Sequence, residues 1–263
     1  MKKLTIMLLL VMVSAFLLFS GCGKDDDDDN GDGGISGLPD ITPANYDWDI
    51  YFLDYAAVDF RADEYMIWAD WLGNSSAISE DDVFTLDING ETQEFWGGNY
   101  FGEWSFSTMA NLEQGTQYDI VFKKNGNTVA SKTLRMPYRA NVNFPASFDP
   151  TQTASMDWEM AGNNKYQIVS LYSESEMEDE DDDWEKSIPN SARSFTFPEN
   201  AVEGFGPETG YDMMLSQANF EKSGRIAFSS ISFAAEFYGY GEPAKLDASE
   251  LRNIAKNIKS AIK

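Results

Sequence analysis

Apolar residues recur at every second position in short runs along most of this chain, and take up a helical spacing only near its end. The clearest run lies between Asn111 and Met136. Tyr118, Ile120 and Phe122 alternate with other residues there, which places them on one face of a strand. Asn125-Gly126 follows, and both residue types tolerate positive φ, so the pair predicts a tight hairpin turn. Thr128 to Met136 is the predicted return strand. Upstream, strands are predicted at Trp48 to Asp59, Glu64 to Trp71, Asp82 to Ile88, Thr92 to Phe95 and Glu103 to Thr108, with Asn89-Gly90 as a further turn. About seven strands is enough for one sandwich. Pro137 brings no backbone donor and closes this unit.

A second unit repeats the pattern. Ala154 to Glu159 alternates, with Met156 and Trp158 inward; Gly162-Asn163-Asn164 turns the chain; Tyr166 to Tyr172 is the next strand. Arg193 to Phe197, Asp212 to Ala218 and Gly224 to Phe237 complete it. Trp68 and Trp71, three apart on one strand, are expected to divide between core and surface. At the end, Leu251, Ile254, Ala255, Ile258, Ala261 and Ile262 recur at helical spacing. Asp247 and Glu250 form a capping-box-like start. The predicted fold is all-β: two tandem β-sandwiches, residues 45–138 and 139–242, with an amphipathic C-terminal helix over 243–263. The helix either lays its apolar stripe on the second sandwich or docks to a partner or membrane.

Leu112, Gly115 and Tyr118 have the spacing L-x-x-G-x-x-Y ahead of a hairpin. This resembles the tyrosine corner of fibronectin type III and immunoglobulin-like domains, in which the Tyr hydroxyl bonds back to upstream backbone. Phe205 to Tyr211 echoes it, with Tyr211 as the corner residue. The resemblance spans about residues 45 to 240 and implies immunoglobulin-like sandwiches. Such domains host many functions, so fold does not settle the role.

The first residues change the picture more. Lys2 and Lys3 precede an uncharged, mostly apolar run from Leu4 to Phe19, and Ser20-Gly21 leads into Cys22, the single cysteine. The run is short for a membrane span, which needs about 20 residues, and fits a secretory leader. The arrangement resembles the lipobox of bacterial lipoproteins, with Phe19 where an aliphatic residue is usual. It implies that residues 1–21 are a signal peptide and that Cys22 is lipidated. Residues 22–44 carry five consecutive aspartates, Asp25 to Asp29, followed by glycines. Like charges and glycine keep such a stretch solvated, so it is expected to tether the folded part. An acidic run after the lipid cysteine also resembles the export signal of surface lipoproteins in some Gram-negative bacteria. The expected location is the outer membrane, lipid-anchored at the cell surface, with the periplasmic face as the alternative.

Composition narrows the chemistry. The formal charge is −25 and becomes more negative once Lys2 and Lys3 are removed, which disfavours nucleic acid and anionic lipid surfaces. There is no histidine, so Ser-His-Asp catalysis and histidine-ligated metals are excluded. Asp26, Asp28, Asn30 and Gly31 match the start of a calcium loop, but its twelfth position is Gly37 where a bidentate acid is needed. Paired carboxylates mean little in so acidic a chain. No cofactor, no metal and no catalytic role is expected.

Two surfaces remain as candidates. Phe95 to Trp104 reads F-W-G-G-N-Y-F-G-E-W, and glycine-flanked aromatics cannot all enter one core. Trp96, Tyr100 and Trp104 are therefore candidate ligand-binding residues, in the manner of surface glycan-binding lipoproteins. Glu174 to Glu185 is a dense acidic segment between two strands, either a solvated loop or a weak calcium or basic-partner site, with Trp184 at its edge. The expected role is a non-catalytic cell-envelope interaction or structural module. The alternative is glycan binding through the aromatics of the first unit.

Overall fold

The computed structural model describes residues 41, 43–54, 63–100, 102–174, 183–201 and 210–238. Cys22, nearly all of the acidic tether, most of the acidic segment after Glu174 and the expected C-terminal helix lie outside these residues.

Among the described residues, fifteen strands account for nearly all the regular structure. In the first half they are β1 (Trp48–Asp54), β2 (Glu64–Trp71), β3 (Phe84–Ile88), β4 (Glu91–Glu94), β5 (Trp96–Tyr100), β6 (Glu103–Asn111), β7 (Gln117–Lys124) and β8 (Asn127–Arg135). The second half adds β9 (Asn141–Asn143), β10 (Ala154–Glu159), β11 (Tyr166–Glu174), β12 (Asp183–Ile188), β13 (Ser194–Phe197), β14 (Gly210–Ser223) and β15 (Ile226–Tyr238). The all-β expectation holds. Sequence reasoning missed β5, β9 and β12.

The two halves are not separate beads on a string. One eight-stranded sheet runs through both, in the order β12-β11-β14-β15-β1-β2-β6-β5. The join is a parallel pair, with Trp48 opposite Ile226 and Leu53 opposite Ile231. All its other pairs are antiparallel. Two smaller sheets, β4-β3-β7-β8 and β13-β10-β9, pack on one face of it, here called the front. The tandem arrangement expected from sequence thus becomes two sandwiches that share a sheet.

Alternation explains what each half buries. Trp48, Ile50 and Phe52 of β1 meet Phe84, Leu86, Ile120 and Phe122 of the four-stranded sheet. Val169, Leu171, Met213 and Leu215 meet Met156, Trp158 and Phe197 of the three-stranded sheet. The corner motif forms: the Tyr118 hydroxyl accepts a hydrogen bond from the Glu113 N–H at 2.8 Å. Gly115, at φ 71°, approaches the Tyr138 ring so closely that an added Cβ would lie 2.2 Å from it. Tyr211, the second proposed corner residue, is buried with Phe148 edge-on to its ring.

Polar side chains fix the seam. Asn164 is buried and both accepts from the Tyr138 N–H and donates to the Tyr138 carbonyl, each at 2.8 Å. Asn219 donates to the Arg135 carbonyl at 3.1 Å and accepts from the Lys165 N–H at 2.9 Å. Arg139 holds the buried Asp54 through two nitrogens, the Nη2 contact being 2.7 Å. Burial opposes the Arg139 charge, and the Asp54 carboxylate more than offsets this, raising the guanidinium pKa.

Candidate functional site

The glycine-rich aromatic segment is an edge strand rather than a loop. β5 pairs only with β6, Trp96 lying opposite Ser107 and Tyr100 opposite Glu103. Gly97, at φ 150°, is required there. A Cβ would sit 2.3 Å from the Ser105 carbonyl oxygen, so a side chain would push the strands apart.

The structure places two of the three candidate aromatics, and the side chain of Tyr100 lies outside what is described. Trp96 is 52% exposed, among the most exposed large apolar side chains of the described residues. Trp104 is only 6% exposed and stacks on Phe106 in the first core, at 6.0 Å between ring centroids. Strand alternation sends Trp96 and Trp104 to opposite faces of the sheet, because Trp96 pairs with Ser107 and Trp104 pairs with Asn99. The expectation that Trp104 is exposed beside Trp96 is corrected by this geometry. The signal for it was in the sequence: Trp104, Phe106 and Thr108 keep period two along β6, with Ser105 and Ser107 between them.

The front side of this edge carries a groove of about 340 Å³. Phe95, Trp104 and Phe106 form its apolar wall, and Glu80, Asp82 and Asn99 supply polar groups. Asn99 accepts from the Gly102 N–H at 2.8 Å, which holds the β5–β6 turn. Asp82 accepts from the Ser79 N–H and the Asn125 amide, both at 2.8 Å, and pairs with Lys124 at 2.7 Å. The Lys124 bond, then that of Ser79, holds the Asp82 carboxyl down to about 2. Glu80 and Asp82 were not singled out from the sequence, since nothing in Ser79-Glu80-Asp81-Asp82 separates them from the chain's many other acids.

On the other side, Trp96 begins a row across the sheet. Ser107 is its partner, Trp68 is Ser107's, and Tyr51 is Trp68's. Trp68 and Tyr51 stack at 5.2 Å, and the Tyr51 hydroxyl donates to Asp70 at 3.1 Å. Trp68 and Trp71 do part to opposite faces, but both pack against apolar clusters. Trp184, expected at the edge of an acidic loop, lies on β12 and packs edge-on against Phe197 at 5.3 Å.

Comparison with known proteins adds little. No family model matches the chain, and no curated protein matches it. Among solved structures, it is similar to the chicken CNTN1 FN1-FN3 domains, at 13% identity and a TM-score of 0.23, over 76% of this chain and 66% of that one. That likeness carries no argument. The all-β sandwich architecture rests on the sheets described above.

Proposed function

We propose that this is a lipid-anchored, non-catalytic cell-envelope protein that acts as an interaction or structural module. The observation that carries this reading is the shared eight-stranded sheet, which joins both sandwiches into one continuous framework. Such a framework presents edges and faces to a partner. Lipidation at Cys22 and the aspartate run would hold it near the membrane while leaving it solvated. Treating intact cells with protease tests the placement. Loss of the folded part, with a periplasmic control intact, supports the cell surface. Protection until lysis supports the periplasmic face and an assembly role.

A second reading is glycan binding at the β5 edge. The exposure of Trp96 favours it, together with the aromatic groove carrying Glu80 and Asn99 on the other side of the same strand. Sugar rings stack on aromatic faces, while carboxylates and amides take hydroxyl hydrogen bonds. The expected result is retention on at least one polysaccharide of a panel, weakened at least about tenfold, or ~1.4 kcal/mol, by Trp96→Ala. No retention, or no effect of the substitution, removes this reading and leaves the first standing.

A further inference from the structure

The back face of the eight-stranded sheet is buried, yet no described element lies on it. Tyr51, Leu53, Trp68, Ile168, Met214 and Ile231 form one apolar cluster there, drawn from strands of both halves. Tyr51, Leu53 and Met214 have no exposed surface. Both smaller sheets pack on the front, as Met213 shows: it is the neighbour of Met214, points the other way and belongs to the core under the three-stranded sheet. A sheet face reaches such burial only beneath another layer.

We propose that residues 247–263 form that layer, as an amphipathic helix that crosses the seam and clamps the two sandwiches. Three observations select this segment. The first is its apolar stripe of Leu251, Ile254, Ala255, Ile258 and Ile262, the longest at helical spacing among the undescribed segments outside the leader; residues 55–62 carry Tyr55, Val58 and Phe60 but are only eight residues long. The second is length. Seventeen helical residues span ~25 Å at 1.5 Å each, and the five strands from β11 to β2 span ~19 Å at about 4.8 Å per spacing. The third is charge. Arg252, Lys256, Lys259 and Lys263 make the segment basic, and Asp49, Asp70, Glu185 and Asp212 lie on the back face. Small side chains at Ser170, Ser216, Ala218 and Ser229 leave room for close approach along the middle of the sheet. This inference goes beyond the proposed role and does not depend on the partner's identity.

Adjacent methionines on opposite faces supply the test. In the full mature chain, the double variant Ile254→Asp/Ile258→Asp is exposed to dilute peroxide, and sulfoxide formation is followed at each methionine. Met214 should oxidise roughly tenfold faster than in the parent while Met213 stays protected. Unchanged protection of both overturns the proposal. If both rise together the variant has lost its fold, and a second measurement decides. With Ile258→p-benzoylphenylalanine in the otherwise unaltered chain, photoadducts to peptides of β1, β14 or β15 within one molecule support the clamp. Adducts to the front sheets, adducts to a second copy, or none at all overturn it.

Discussion

The two sandwiches fill their interiors by different means. In the first, rings dominate: Trp48 lies 4.9 Å from Phe122 and 5.0 Å from Phe84, and Phe84 lies 4.8 Å from Phe106. In the second, a thinner three-stranded cover leaves polar groups inside. Gln167 has no exposed surface; its carbonyl accepts from the Trp158 indole at 3.1 Å and its amide donates to the Pro189 carbonyl at 3.0 Å. Burial of aromatic area is non-directional and tolerates small shifts. Buried hydrogen bonds are directional and costly to leave half-made. The first half should therefore respond to lost volume and the second to lost partners.

The largest expected effect is on the first half. Phe122→Ala removes a fully buried ring and should cost about 3–5 kcal/mol. For a protein of this size that lowers the melting temperature by roughly 10 °C. The shared sheet sharpens the comparison. If β1 and β15 couple the halves, calorimetry should show one transition, shifted as a whole. Two transitions, with only one moved by Phe122→Ala, would mean that the halves unfold independently despite the common sheet.

Gln167→Met comes next. The volume is nearly kept, but the Trp158 indole N–H and the Pro189 carbonyl lose their partner. A loss of about 1–3 kcal/mol is expected by denaturant titration. Leu171→Met, a similar apolar exchange four residues along the same strand, should cost less than ~1.5 kcal/mol. Equal losses from the two substitutions would show that the second core, like the first, answers to volume alone.

Much of this architecture was legible in the sequence, because strand periodicity is local. Ala154–Glu159 alternates between buried and exposed along its whole length, as its pattern of small, apolar and charged residues predicts. The Leu112-Gly115-Tyr118 spacing gave the corner whose hydroxyl bonds to Glu113. What escaped is non-local. Nothing near Trp48 indicates that it will lie beside Ile226, in parallel, across the length of the folded part. That pairing depends on both strands being buried on both faces, which suits a central position but names no partner. β12 was hidden for another reason: its acids mask the alternation that sends Trp184 inward. At the candidate site, the exposed Trp96 was foreseen, but not its separation from Trp104, because the glycines between them obscured where one strand ends and the next begins.

The smallest expected effect concerns charge, and it bears only on the first half. Asp82 and Asp87 both have lowered pKa values, caused first by hydrogen bonds from Lys124 and Lys123 respectively. A carboxyl lowered in the folded state favours folding above the unfolded value, near 3.9 for aspartate, and that contribution fades as pH falls through the folded value. For Asp82 the window runs from about 4 down to about 2. The pair lies at the surface, with about a third of the Lys124 side chain open to water, so solvent screens it and the effect on melting temperature should be a small one. An acidic chain also gains from protonation, since falling pH relieves repulsion among its many carboxylates. The bare acid limb therefore mixes two opposed trends. Comparison of Asp82→Asn with the parent separates them, because repulsion elsewhere is nearly common to both. The parent should hold an advantage at pH 5 that shrinks steadily toward pH 2, and raising the salt concentration should narrow the gap at pH 5. A gap that stays constant with pH would assign the loss to the Asn125 and Ser79 hydrogen bonds rather than to the charge. The Val83–Asn125 corner, not the Lys124 pair, would then be what holds the groove's acidic rim in place.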